Sequence, residues 1–581
     1  MCGITGVVAA GDWNDTIDAM TRALLHRGPD DGGVWSAPGV FLGHRRLSIL
    51  DLSPAGHQPM HLGPYTIVYN GEIYNFRELR KSLPGPFHSD SDTEVLLHLY
   101  AQHGPQCLDL LQGMFAFAIW DSSRGRLFAA RDRLGIKPFY FHAAPDKFLF
   151  ASEIKALLPA VDREVDRSAL FDFFTYKYTP GEKTIYRHVR KLLPGHCLEY
   201  EAGAVPVIRR YWHPVSAPQI REPEAALAAF EDSISRVVPE HTLADVPVGL
   251  FLSGGLDSTL LLSALQRPRT YTLDLVGSTR SEAADARRTA EFFGSQHTEL
   301  RASAESVEEA LEVLPQIYDE PFGDSAAWSM YLICREARRE VTVALSGEGG
   351  DELFSGYKWY GKALAYRSSA LARALASVLP PFSPAGRSAY RHAASGVEQF
   401  STFLGPFNPR QKRALLADDL VERDYDDLWY FRQHWRADLD PIKRMQWVDM
   451  HTYLPDDLLL KADFSSMAVS LEVRPPLLDH RLAEFALSLD STLLRDGSTG
   501  KLLMRRHLAK KVPDDILNRP KRGFSVPVQT WLERRPELAR DAVRRLHRAG
   551  ILKSPRPPRM HSEQLWSILM LDRWAARAGL V

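Results

Sequence analysis

Pro247-Val248-Gly249-Leu250-Phe251-Leu252 is a short apolar run, Ser253-Gly254-Gly255 breaks it, and from about Leu256 the pattern becomes helical. Strand, glycine turn and helix in that order form one unit of a parallel α/β sheet. Two more apolar runs, Thr270–Leu275 and Thr342–Leu345, repeat the strand signal, with helices expected over Ser281–Phe293 and Trp328–Glu340. Three such units predict a nucleotide-sized α/β domain, and open sheets of this kind bind ligands at the C-terminal ends of their strands.

Both of the strand ends that read most clearly carry polar chemistry. After the first strand, Gly254 and Gly255 permit close backbone approach, the Ser253 and Ser258 hydroxyls and the helix N-terminus can donate to phosphate, and Asp257 can hold Mg2+. A generic tight turn would account for Ser-Gly-Gly alone, and the Gly-Lys-Ser/Thr ending of a Walker A loop is missing. After Thr342–Leu345 comes Ser346-Gly347-Glu348-Gly349-Gly350-Asp351, again with carboxylates in a glycine turn.

Downstream of Tyr357 the composition turns helical, with a Pro/Gly break at Leu379–Gly386 and mainly helices and loops from Asp440 to the C-terminus. The Ala/Arg-rich stretch Ala363–Ser377 lacks interleaved aromatic residues and reads as a solvated helix, not a nucleic-acid patch. Upstream, Glu224 opens a helical segment, and the Pro-rich, polar His213–Pro223 reads as a linker. Before Trp212 the chain is a series of short apolar runs broken by glycine and turn residues, which favours sheet over bundle. Helices at Asp15–Leu25 and Asp92–His103 would cover the sheet faces, giving a layered mixed or antiparallel domain.

With 581 residues the chain exceeds one compact core, so two domains or more are expected. Its 71 Lys and Arg balance 72 Asp and Glu, which removes any global reason to bind nucleic acid or an acidic membrane. Cys2, Cys107, Cys197 and Cys334 form neither a disulfide framework nor a metal knuckle, and no signal-like or membrane-spanning segment is evident, so a reducing cytoplasm is expected. Removal of Met1 would place the α-amine of Cys2 beside its own thiol, nucleophile and base in one residue, although a buried thiol near a terminus is the plainer reading.

MCGITGV at the start, HRGPDD at His26–Asp31, GHRRLSILDLSPAGHQPM at Gly43–Met60, YNGEIYNFRELR at Tyr69–Arg80, SDTEVLLHLY at Ser91–Tyr100 and RDRLGIKPFYF at Arg131–Phe141 together resemble the glutamine-hydrolysing asparagine synthetase family. The second half resembles the ATP pyrophosphatases of that family through Ser253–Ser258, Ser346–Tyr357, His297, Asp319–Phe322, Leu454–Asp457, Lys461–Asp463, Ser466–Ala468, Leu471–Arg474, Pro475–His480 and Lys521–Phe524. The resemblance implies an αββα N-terminal-nucleophile glutaminase over residues 1–212, a linker at 213–223, and an α/β parallel-sheet ATP-pyrophosphatase domain with helical additions over 224–581.

By the same resemblance, Cys2 attacks the glutamine amide, Asn70 and the Gly71 amide stabilise the oxyanion, and Arg46, Glu72 and Asp92 hold the amino-acid head group. Arg45 and Arg46 would point to opposite faces of a strand, so only one should enter the pocket. In the second site the implied ATP and pyrophosphate ligands are Ser253, Gly254, Gly255, Asp257, Ser258, Ser346, Gly347 and Lys461. Asp257 and Asp351 are the implied Mg2+ ligands, and Glu348 faces the acceptor and the incoming ammonia. Lys461 suits a point-charge role on phosphate, with Asp463 able to fix it, while Met467 and Met504 read as core.

The implied reaction consumes ATP, glutamine and a carboxylate to give AMP, pyrophosphate, glutamate and an amide. Aspartate would give asparagine. Asp274-Leu275, Ser281-Glu282 and Phe464 depart from the family pattern, which leaves another small carboxylate, such as a peptide or sugar acid, as an alternative acceptor; a noncatalytic scaffold is a second alternative. A homodimer is implied only by the resemblance.

Overall fold

The computed structural model describes residues 2–214, 220–276, 282–303, 307–366, 368–519 and 528–581. Ser281 and the Lys521–Phe524 motif lie outside them, as does part of the 213–223 segment.

The N-terminal half is two stacked six-stranded sheets with helices on both outer faces. One sheet is centred on Gly3–Ala9, which lies antiparallel to Val40–Arg46 on one side and Lys147–Ala151 on the other. The other is centred on Gly113–Asp121, between Tyr65–Ile73 and Arg126–Arg131. The sequence GMFAFAIWD shows why the layers form. Alternation sends Ala116, Ala118 and Trp120 into the seam between the sheets, and Phe115, Phe117 and Ile119 outward under helix Asp92–His103. The small alanines let Ile4, Val8 and Phe150 of the facing sheet approach. On the opposite outside, Val7 and Ala9 pack beneath Ile17 and Met20 of helix Asn14–Arg22. These layers give the expected αββα order.

The C-terminal half holds a five-stranded parallel sheet in the order Gln296–Ser303, Arg269–Val276, Val248–Phe251, Val343–Leu345, Glu472–Arg474. The three expected strands are its centre, and helices Leu256–Ser263, Ala283–Phe293 and Ala326–Ala337 accompany them. Both edge strands escape sequence reading. Gln296–Ser303 is largely polar, and the three-residue Glu472–Arg474 places two charged side chains where a buried strand would normally be apolar. The stretch Ala363–Ser377 is not one helix: Lys358–Ala365 ends, and Ala370–Val378 restarts with the Ser369 side chain accepting from Ala372 N–H. The proline break is shorter than expected, because Ser383 caps a helix that begins at Pro384.

The two halves meet along Glu472–Arg474 and helix Leu460–Met467. Met467 packs with Leu47, Ile49, Tyr74, Met114 and Val343, and Ser470 Oγ donates to the His26 carbonyl at 2.6 Å. Among the described residues no helix is long and apolar enough to cross a membrane.

Candidate active sites

Cys2 immediately precedes the first strand and lines a small pocket with Arg46, Gly71, Glu72 and Asp92. Asn70 lies beneath it, fully buried; its Oδ1 accepts from the Cys2 backbone N–H at 2.9 Å, while its Nδ2 has no hydrogen-bond partner. A buried donor left unpaired is costly, and a ligand oxygen would satisfy it. Gly71 has to be glycine, because a Cβ there would stand 2.3 Å from the Met114 carbonyl oxygen on the adjoining strand. Burial pushes the Cys2 thiol up, while the Leu47 backbone N–H and the Arg46 charge pull it down.

Arg46 is buried and Arg45 half-buried on the opposite strand face, as the alternation requires. The Arg46 guanidinium donates to the carbonyls of Leu50, Asp51 and Ser53, which fixes its plane at the pocket edge. Asp92, at the start of its helix, accepts from the Tyr69 hydroxyl at 2.7 Å and Ile73 N–H at 2.9 Å. Glu72 meets Arg474 of the other half at 2.8 Å, leaving its second oxygen without a hydrogen bond. Burial raises both acidic groups, opposed at Glu72 by Arg474 and at Asp92 by its two hydrogen bonds. Glu472 also lines this pocket, so the parallel sheet of the C-terminal half supplies part of its wall.

The second site comprises two adjoining clefts of about 410 and 420 Å³ that share Ser253, Asp257 and Glu282. Gly254 and Gly255 line one cleft; Ser258, Ser346, Gly347, Glu348, Asp351 and Lys461 line the other. All the expected ATP-side residues therefore converge. The Ser253 and Ser258 hydroxyls are 3.1 Å apart, and Gly255 N–H donates to Ser253 Oγ at 3.2 Å, closing the turn. Gly347 and Gly350 bring the second loop against the first, since a Cβ at either would stand within 3 Å of Asp257. Burial raises the Glu348 carboxyl, with Lys461 opposing.

Two assignments change. Lys461 Nζ donates to Asp324 Oδ2 at 2.8 Å, so Asp324 and not Asp463 holds it. Asp463 instead meets Arg27 at 2.9 Å, because residues two apart on helix Leu460–Met467 point to different sides. Lys501 was not legible as a site residue. Its ammonium lies 2.6 Å from carboxylate oxygens of both Asp257 and Asp351. Burial disfavours that charge, but the two carboxylates outweigh burial and hold it above the usual lysine range. Its one sequence signal is a turn-forming Ser498-Thr499-Gly500 before a helix, and it adopts positive φ, 59°, at the helix start.

The Asparagine synthase family model matches residues 229–576, and the Glutamine amidotransferase domain model matches residues 1–212. Asparagine synthetase [glutamine-hydrolyzing] 1 of Bacillus subtilis (strain 168) is 35% identical over 92% of this chain and 88% of its own length. A putative asparagine synthetase [glutamine-hydrolyzing] of Mycobacterium bovis is also 35% identical, over 99% of this chain and 97% of its own. Amidase chry2 of Gibberella zeae is 28% identical over 91% and 90%. With both models placed on the two halves that carry the two sites, and these relatives matched nearly end to end, the chain belongs to the asparagine synthetase family of glutamine-hydrolysing carbon–nitrogen ligases.

Proposed function

We propose that the protein is a glutamine-dependent asparagine synthetase, with residues 1–212 as glutaminase, 213–223 as linker and 224–581 as the ATP-dependent synthetase. The observation that carries this reading is the junction: one strand, Glu472–Arg474, belongs to the parallel sheet of the ATP-type cleft and also reaches the Cys2 pocket. Two chemistries on one rigid element suit a nitrogen atom passed between them.

In the first site, Cys2 attacks the glutamine amide, and Asn70 Nδ2 with the Gly71 N–H receives the developing oxyanion. Arg46 pairs with the α-carboxylate, and Glu72 and Asp92 take the α-amine. The apolar cluster around Met467 and Met114 lies between the halves, surroundings that disfavour ammonium relative to neutral ammonia.

In the second site, the Ser253–Ser258 turn and Ser346-Gly347 hold the phosphates of ATP. Asp257 and Asp351 are hard oxygen donors brought within 2.6 Å of one cation, the Lys501 ammonium, a donor set that fits Mg2+. Bound there, Mg2+ would balance charge on the leaving pyrophosphate. Lys461, held by Asp324, supplies a fixed positive charge, and Glu348, raised by burial, can accept a proton from the ammonia-derived nucleophile.

Aspartate is the proposed acceptor. Phe464, one departure from the family pattern, stacks on Tyr318 with ring planes 7° apart and lines a separate pocket with Asp319, Glu320 and Phe322, not the ATP-type cleft. Asp274 faces Arg301 of the neighbouring strand at 3.8 Å. The test is product mass spectrometry with ATP, Mg2+ and amide-labelled glutamine. Labelled asparagine and AMP that form only with aspartate support the reading; glutamine hydrolysis without such a product points to another carboxylate.

A second measurement tests the head-group clamp. A Cβ on residue 56 would stand 2.0 Å from Arg46 Nη2, and three carbonyls prevent that guanidinium from stepping aside. Gly56→Ala is expected to raise KM for glutamine about tenfold or more while ammonia-dependent synthesis stays unchanged. An unchanged KM removes Arg46 from glutamine binding.

A further inference from the structure

The guanidinium of Arg27 is fully buried and has three neighbours. Its Nε donates to the Cys2 carbonyl at 3.0 Å, Nη1 donates to Glu153 Oε1 at 2.8 Å, and Nη2 lies 2.9 Å from Asp463 Oδ2. The first two partners belong to the N-terminal half and the third to the synthetase half. Asp463 is itself buried, with Lys137 3.5 Å away as its other charged neighbour. Glu153 is shared with Lys155 and His26, and Lys155 with Asp319, so Arg27 and Asp463 belong to a larger network of alternating charges behind Cys2.

The helix Leu460–Met467 places Lys461 toward the ATP-type cleft and Asp463 toward Arg27. Glu153 accepts a hydrogen bond from one side of the planar guanidinium, and the Asp463 carboxylate lies 2.9 Å from another as an ion pair without hydrogen-bond geometry, so the two charges together locate Arg27 against the Cys2 carbonyl. We infer that Asp463 of the synthetase half is a positioning residue for the Cys2 nucleophile, acting through Arg27. The inference rests on the proposed role of Cys2. Neither Asp463 nor Arg27 lines the glutamine pocket, so the contact governs how Cys2 is aimed and not how glutamine binds.

The test uses the full-length enzyme and measures glutamine hydrolysis and ammonia-dependent pyrophosphate release in the same preparations. Asp463→Asn is expected to lower kcat for glutamine hydrolysis about 10- to 100-fold, with KM for glutamine and ammonia-dependent release within about twofold of wild type. Asp463→Glu, which retains the charge but displaces it, is expected to recover part of the loss; should the asparagine variant not fold, the glutamate variant alone must still show a lowered kcat. Glu484→Gln is the comparison, because Glu484 Oε1 accepts from Trp212 Nε1 at 2.7 Å, a contact between the halves whose residues line neither site. It is expected to leave both activities intact. Wild-type kcat in Asp463→Asn, or a parallel loss of both activities, overturns the inference. If Cys2→Ala still hydrolyses glutamine, it is the role of Cys2 that fails, and that result is separate from either outcome at Asp463.

Discussion

Cys2→Ala is expected to abolish glutamine-dependent synthesis, by about 10³-fold or more, because Cys2 carries the one thiol that lines the pocket. Ammonia-dependent synthesis should persist near the wild-type rate. The physical basis is separation: Cys2 and Asn70 belong to the stacked sheets of the N-terminal half, whereas Glu348, Lys461 and the phosphate-type turns line clefts in the other half. Cys2 does not line those clefts, so shortening it to a methyl group leaves their charges in place. The assay is AMP and pyrophosphate production with glutamine or with ammonium salt as nitrogen source. Loss of both activities in a folded variant would mean that Cys2 also supports the synthetase half, and the proposed division of labour would have to be abandoned.

The central layers were legible because their residues obey simple periods. Gly113–Asp121 alternates between two apolar environments, and Val248–Phe251 with its glycine turn announces a parallel unit. Motif spacing also brought Cys2, Arg46, Glu72 and Asp92 to one pocket, which no local pattern could do. What stayed illegible was long-range pairing of charge. Lys501 lies 244 positions from Asp257 in the chain, and a lone lysine before a helix looks like many surface lysines. Asp463 and Lys461 look like a local pair until the helix turns them apart. Glu472–Arg474 is a strand whose charged side chains are tolerated in the interior because Arg474 has Glu72, Glu472 and the carbonyls of His241 and Leu243 as partners.

Asp351→Asn should produce the opposite pattern to Cys2→Ala. Pyrophosphate release is expected to fall by about 10²- to 10³-fold with either nitrogen source, while basal glutamine hydrolysis continues. Asp257, Asp351 and Lys501 together carry one net negative charge at the mouth of the phosphate turn, which favours a divalent cation. The amide variant keeps the shape and cancels that charge, so Lys501 is left balanced by Asp257 alone. Raising Mg2+ should recover part of the rate if the loss is one of metal affinity, and Lys501→Met, which restores one net negative charge to the Asp351→Asn background, should shift the Mg2+ dependence back toward wild type. Wild-type pyrophosphate release from Asp351→Asn would place the metal elsewhere and leave Lys501 as a structural clamp between two loops. The paired result, one variant silent only with glutamine and the other silent with both nitrogen sources, is the signature of a glutaminase feeding a synthetase; neither a scaffold nor a stand-alone glutaminase can produce it.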